Sequence, residues 1–310
     1  MQPQTSPHLS SVNKETGWKV WWMLLRPHTL SAAFIPVTIG TVIALHEGSI
    51  KLSLFIAMLI ASILIQAATN MFNEYFDYKR GLDTEASVGI GGAIVRNGIK
   101  AKTVLKLAFA FFLVATLIGI YICFMSSWWI AAVGVICMLA GYFYTGGPIP
   151  IAYTPFGEIV AGFFMGNVIV LIAYYIQTQT ITGKVFLISI PIAILVGAIL
   201  TANNIRDLDG DKENGRKTLA ILLGKRNSII FLAGMFITSY LIIFVLLFIG
   251  FTSFWSLLVL LSIPKAYSAV KQFIGKTQPI EMMPAMKATA QTNIQFGFLL
   301  ALGLLISHFI

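Results

Sequence analysis

The chain has 310 residues, 57% of them hydrophobic and only 11% charged, and it carries a net charge of +9. That balance lies far from the usual globular one and excludes an ordinary water-soluble domain. The two cysteines, Cys123 and Cys137, lie inside apolar runs and read as small buried hydrophobes, not as a disulfide framework or a metal site.

Taken in chain order, Met1–Gly17 is polar and lacks an apolar leader core, so no cleaved signal peptide is expected. Residues 1–17 are expected to form a mobile cytoplasmic tail, and residues 18–310 a single transmembrane domain. Nine apolar spans follow, at about 29–45, 52–72, 103–125, 128–145, 156–177, 185–203, 229–249, 252–263 and 290–308. Most reach the roughly 20 residues needed to cross a bilayer, and the eighth is the shortest. Each crossing should be helical, because lipid leaves no partner for an unpaired backbone group. The expected fold is therefore an all-α, polytopic membrane protein.

Charge orients it. Nineteen of the 21 basic residues fall in the N-terminus and in loops 78–106, 206–228 and 264–288, which alternate with loops carrying only Lys51 and Lys184. The positive-inside rule puts the rich set in the cytoplasm and the C-terminus outside. The partner this implies is the lipid bilayer of the cell membrane, and no nucleic acid is expected.

Eight of the twelve acidic residues fall in two short windows, both at cytoplasmic span ends. One runs from Asn70 through Asn73, Glu74, Asp77 and Asp83 to Glu85, the other from Asn203 and Asn204 through Asp207, Asp209 and Asp211 to Glu213. Carboxylates this dense repel one another beside a hydrocarbon core and are tolerated where a cation binds between them. Hard divalent ions such as Mg2+ choose oxygen ligands of this kind. In a helix, Asn73 and Asp77 share a face, as do Asn203 and Asp207, while Gly81 and Gly210 are expected to break the helices. The two Asn-x-x-x-Asp elements lie 130 positions apart. That spacing suggests two four-helix pseudo-repeats plus a ninth helix around a central cavity.

Cations are interleaved with both clusters: Lys79 and Arg80 in the first, Arg206, Lys212, Arg216 and Lys217 in the second. Carboxylate, divalent metal and Arg/Lys together are the parts that hold a diphosphate. No Gly-x-x-x-x-Gly-Lys-Ser/Thr loop is present, so a P-loop nucleotide site is excluded. At a membrane opening, a lipid diphosphate is the natural ligand. Solvated interfacial loops with ordinary salt bridges would explain one such cluster more easily than two at matched positions. His8, His28, His46 and His308 do not cluster in the sequence, which argues against a histidine metal site.

With these residues in place the chain resembles the intramembrane prenyltransferases of the UbiA superfamily, marked by Asp-rich motifs ending the second and sixth of nine helices. Arg26-Pro27-His28-Thr29-Leu30, Tyr144-Thr145-Gly146-Gly147-Pro148, Gly91-Gly92 with Gly98, Gly157-Glu158 and Lys217-Thr218-Leu219-Ala220 make it most similar to the branch acting on 1,4-dihydroxy-2-naphthoate. One departure is Glu74, where the superfamily usually has Asp, which leaves open whether it touches the metal.

The resemblance implies a Mg2+-dependent transfer of a polyprenyl group from polyprenyl diphosphate to the naphthoate, with loss of carbon dioxide. It implies metal binding by Asn73, Asp77, Asp83, Asn203, Asp207 and Asp211, with Lys79, Arg80, Arg206, Lys212 and Lys217 on the diphosphate. Asp77, Asp207 and Asp211 are then catalytic, together with Tyr144 as a shield for the allylic cation. Arg26, His28 and Glu158 are candidates for the aromatic substrate, although Glu158 reads equally well as a helix N-terminal charge and His28 as a cap. Two competing classes are a relative acting on another aromatic acceptor, such as 4-hydroxybenzoate or homogentisate, and an ion-coupled transporter. A transporter would hold its carboxylates nearer the bilayer midplane.

Overall fold

The computed structural model describes residues 17–27, 29–83 and 92–310, and among these every regular element is a helix. A short helix α1 (Trp18–Leu24) leaves Trp18, Trp21 and Trp22 exposed, the aromatic anchoring expected at a membrane surface. There follow α2 (Ser31–Leu45), α3 (Leu52–Lys79), α4 (Ala101–Met125) and α5 (Trp129–Thr145). Next, α6 (Gly157–Ala161), a π-helical stretch Gly162–Val168 and α7 (Ile169–Thr178) form one continuous rod. Then come α8 (Gly183–Arg206), the short α9 (Leu208–Glu213) and α10 (Leu219–Phe248), which is kinked at Gly224. A 3-10 run Phe254–Ser262 leads into α11 (Ile263–Lys271), and a second, Pro279–Met282, into α12 (Met283–Phe309).

Six of these rods are long and apolar enough to cross a membrane: Leu52–Lys79, Ala101–Met125, Gly157–Thr178, Gly183–Arg206, Leu219–Phe248 and Pro279–Phe309. Helices α2 and α5 coincide with expected spans but are shorter, and the eighth expected span begins as the 3-10 run before α11. Several boundaries shift. Helix α3 continues past 72 to Lys79 and α8 past 203 to Arg206, so Asn73 and Asp77 both lie on α3, as their shared helical face requires.

Large apolar side chains such as Leu117, Phe124, Leu139, Leu241 and Phe248 are exposed on the outer faces. In water this would be an aggregation hazard; against acyl chains it is the ordinary condition of a membrane helix. Inside, one core joins α2, α7, α8, α10, α11 and α12 through residues such as Ile39, Tyr174, Ile192, Phe236 and Phe296. A second joins α1, α3 and α4 around Phe72, and a third joins α2, α3, α4, α5 and α7 around Leu54 and Ile176. Small residues let the rods close: a Cβ on Gly166 would lie 2.3 Å from Ala193 Cα of α8.

Helix direction sets the two ends of the bundle. At one end α3 and α9 bring Asp77 and Asp211 together, and the residues leading into α2 meet α3, Asn70 donating to Leu25 O at 2.8 Å and to Thr29 Oγ1 at 3.0 Å. At the other end the exits of α2 and α12 meet, where the His46 ring packs against His308 at 5.2 Å and its Nε2 lies 2.9 Å from Leu304 O.

Candidate active site

Both acidic motifs end their helices the same way. At the close of α3, Gly81 takes a left-handed φ of 74°, its N–H donates to Tyr78 O at 3.0 Å and Leu82 N–H donates to Asp77 O at 2.9 Å. At the close of α9, Gly215 also has φ 74°, its N–H donates to Lys212 O at 3.1 Å and Arg216 N–H donates to Asp211 O at 3.0 Å. This is the Schellman C-cap, which needs a residue free to enter the left-handed region. It places Asp77 and Asp211 at equivalent positions, so the structural equivalence pairs Asp77-x-x-x-Gly81 with Asp211-x-x-x-Gly215. Gly210 breaks nothing, because it lies inside α9; the chain bends at Asp207, between α8 and α9.

One guanidinium joins the motifs. Arg216 Nη2 lies 3.0 Å from Asp77 Oδ1 and its Nη1 lies 3.1 Å from Asp211 Oδ1. Its face stacks on the Tyr153 ring at 4.6 Å. The three charged side chains are 15%, 12% and 11% exposed, so their attraction is far less screened than that of a surface pair. Burial works against the Arg216 charge, yet the two carboxylates overcome it and raise its pKa. Burial also pushes Asp211 up to about 6 against the pull of Arg216. Asp83 is pushed up to about 6 by burial and by its neighbours Asp77 and Glu74, with Arg26 and Arg216 opposing.

Below the motifs lies a cavity of about 340 Å³ lined by Asn73 of α3 and Asn203 of α8, with Arg26 and Tyr144. Its wall runs to Met58 of α3, about 22 Å from Asn73 at 1.5 Å per helical residue, and is otherwise mostly apolar. The π-helical stretch contributes Phe164 and Met165 to it. Glu158, only 4% exposed, accepts from Asn204 Nδ2 at 2.8 Å through Oε1. Its Oε2 is buried without a hydrogen-bond partner. A Cβ on neighbouring Gly157 would lie 3.4 Å from the Tyr144 hydroxyl.

The remaining sequence candidates divide. Lys79, Lys212 and Lys217 are exposed. Arg80 holds the Tyr-Thr-Gly-Gly-Pro segment, with its Nη1 donating to Thr145 O at 2.5 Å and its Nη2 to Gly147 O at 3.0 Å, and it stacks on Phe76 and Tyr153. Arg206 forms a bidentate pair with its neighbour Asp207, at 2.6 and 2.5 Å, and faces Met283 and Met286 of α12. Glu74 is 1% exposed, and its Oε1 accepts from Gly92 N–H at 2.7 Å and Ile94 N–H at 3.3 Å. Its Oε2 lies 3.7 Å from Arg26. His28 lies outside the described residues. Arg216, Tyr153 and the loop partners of Glu74 take structural positions that motif reading did not assign; the shared Asp-x-x-x-Gly spacing was the available signal for the first.

The donor set suits a hard divalent ion. The side-chain amides of Asn73 and Asn203 line one cavity, the carboxylates of Asp77 and Asp211 are held together beside it, and Asp211 Oδ2 is buried with no hydrogen-bond partner. Among the described residues no three His, Cys, Asp or Glu side chains are grouped closely enough to cage an ion. Mg2+ does not require such a cage, since it keeps several waters and shares substrate phosphates.

Residues 33–286 match the model of the UbiA prenyltransferase family. The chain is 55% identical to the 1,4-dihydroxy-2-naphthoate octaprenyltransferase of Bacillus subtilis (strain 168), over 99% of this chain and 97% of that protein. It is 30% identical to the protein of the same name from Haemophilus influenzae, over 93% of this chain and 96% of the other. Among solved structures, the apo UbiA homolog from Aeropyrum pernix K1 superposes with a TM-score of 0.68 at 13% identity, covering 91% of this chain and 98% of that one. A UbiA homolog from Archaeoglobus fulgidus bound to DMAPP and Mg2+ gives a TM-score of 0.59 at 13% identity, with 90% and 98% covered.

Proposed function

The chain belongs to the UbiA prenyltransferase family, and from that premise we propose that it transfers a polyprenyl group from polyprenyl diphosphate to 1,4-dihydroxy-2-naphthoate. Carbon dioxide and diphosphate leave, and the product is demethylmenaquinol. The acceptor is supported by 55% identity to a naphthoate enzyme along nearly the whole chain. The chemistry is carried by one geometric observation: Asp77 and Asp211 meet on a single guanidinium, and Asn73 and Asn203 of the same two motifs line a mostly apolar cavity.

Asn73, Asp77 and Asp83 of the first motif and Asn203, Asp207 and Asp211 of the second are the residues that would hold Mg2+. When bound there, the ion supplies positive charge to the departing diphosphate. Lys79, Lys212 and Lys217 lie exposed at the same end and supply further charge to phosphate oxygens. Arg80 and Arg206, committed to neighbouring groups, act by positioning the Thr145–Gly147 segment and Asp207. The apolar wall keeps water from the allylic cation once the C–O bond ionises. Tyr144, on that wall, shields the cation with its ring. Arg26 pairs with the naphthoate carboxylate, and the unpartnered Glu158 Oε2 accepts a ring hydroxyl; His28 belongs to the same group of acceptor residues. A ring carbon made electron-rich in this way attacks the cation and displaces the carboxylate as carbon dioxide.

The protein is a multi-pass membrane protein. For the finer topology we propose nine crossings, in two four-helix units (α2–α5 and α6–α11) followed by α12. The N-terminus and the site would then be cytoplasmic and the C-terminus outside. The pairing of His46 with His308 at the end opposite the acidic motifs supports that sidedness, as does the distribution of lysine and arginine.

The test supplies purified protein with 1,4-dihydroxy-2-naphthoate or 4-hydroxybenzoate, a polyprenyl diphosphate and Mg2+, and identifies products by mass. The expected result is a prenylated, decarboxylated naphthoate, abolished by EDTA and restored by Mg2+. Preferential prenylation of 4-hydroxybenzoate would overturn the acceptor, and full activity in EDTA would overturn the metal.

A further inference from the structure

We propose that Arg216 makes metal binding and diphosphate binding depend on one another; this rests on the two acidic motifs being the metal–diphosphate site. Arg216 stands where a cation between the motifs would stand. Its two terminal nitrogens fork between Asp77 of α3 and Asp211 of α9, at 3.0 and 3.1 Å, and so neutralise the pair of carboxylates most directly shared by the motifs. A divalent ion arriving alone must displace a guanidinium already paired with one oxygen of each carboxylate, and it meets like charge on the way.

Diphosphate changes that balance. A planar guanidinium matches phosphate oxygens as well as carboxylates, and in bidentate fashion. Arg216 is equipped to change partners. Its Nε is buried and has no hydrogen-bond partner, which leaves a donor for an incoming acceptor. The Tyr153 ring lies beneath it, at 4.6 Å, and supports the cation through its face. Its own backbone N–H is pinned to Asp211 O in the Schellman cap, so the side chain swings from an anchor within the second motif. When the guanidinium turns to the diphosphate, both carboxylates are released to the metal. Each ligand then favours the other by the same factor, as linkage requires. The order of events is protected as well: a metal without substrate finds the site closed by an internal cation.

The experiment measures two affinities on the full-length protein in detergent. Mn2+ binding without diphosphate is followed by electron paramagnetic resonance, and binding of labelled inorganic diphosphate is followed at saturating Mn2+. In Arg216→Gln, Mn2+ alone should bind at least fivefold more tightly than in the unaltered protein, while diphosphate should bind at least tenfold more weakly. Arg216→Lys keeps the charge but replaces the planar fork by a single nitrogen on a shorter reach, and should move both affinities in the same two directions by smaller factors. It also carries the test if Arg216→Gln does not fold. Loss of both affinities together, the mark of a merely structural residue, overturns the proposal, as does unchanged Mn2+ binding in both variants. Asp77→Asn serves as the separate control. Mn2+ binding that survives it unaltered would count against the two-motif site itself.

Discussion

Glu74 occupies a position where the family usually has aspartate, and its geometry makes a definite prediction. If it were a metal ligand, its charge would be indispensable. Instead its Oε1 accepts from Gly92 N–H at 2.7 Å and Ile94 N–H at 3.3 Å, and its Oε2 lies 3.7 Å from Arg26. Hydrogen bonds to a charged group contribute about 1.5–3 kcal/mol each, and the longer one belongs at the low end. Glu74→Ala should therefore destabilise the protein by about 3 kcal/mol, leaving two buried N–H groups unpaired. Glu74→Gln keeps one acceptor oxygen and loses the attraction to Arg26, so its cost should be about 1–2 kcal/mol. For a chain of this size that is a fall of about 5 °C and about 3 °C in apparent melting temperature in detergent. The Mg2+ concentration for half-maximal turnover should stay within threefold in Glu74→Gln. A variant that melts like the unaltered protein yet needs more than ten times the Mg2+ would refute the clamp and make Glu74 a ligand.

Asp77→Asn and Asp207→Asn should each reduce turnover by at least a thousandfold at saturating Mg2+ without unfolding the protein, since a metal-held transition-state charge is worth several kcal/mol; near-normal rates in both would dismiss the two-motif site. Cysteines placed at 79, 184 and 212, with Cys123 and Cys137 removed, should be labelled from outside intact cells only at 184, and the reverse pattern would invert the topology. A third expectation concerns pH. Asp83 and Asp211 are both raised to about 6 in the fold, chiefly by burial, so ionising them costs stability as pH rises from about 4 through 6. The protein in EDTA should then melt higher at pH 5 than at pH 7.5, and Mg2+ should raise the melting point at pH 7.5 more than at pH 5. Equal melting curves across that range in EDTA would show that these carboxylates are well solvated.

The sequence alone determined that the chain is helical and lies in a membrane, because runs of apolar residues near bilayer length admit no other hydrogen-bonded backbone. It also located both acidic clusters and put Asn73 with Asp77 on a shared helix face, because side-chain direction over a single turn depends on nothing but helical geometry. What lies beyond one turn was not legible in this way. The 130-residue offset aligned Asp77 with Asp207, whereas the matched caps at Gly81 and Gly215 align it with Asp211. Which of six neighbouring cations does what was equally hidden, since a lysine or arginine beside a carboxylate cluster has the same charge wherever its side chain turns. Only the packing of α3 against the loop after α5, and the bend at Asp207, decided that Arg80 grips Thr145 and Gly147 while Arg216 bridges residues 139 positions and five positions away. A guanidinium pairs with whatever acceptor the folded chain brings within about 3 Å, and that distance is set by how helices far apart in sequence come to rest on one another.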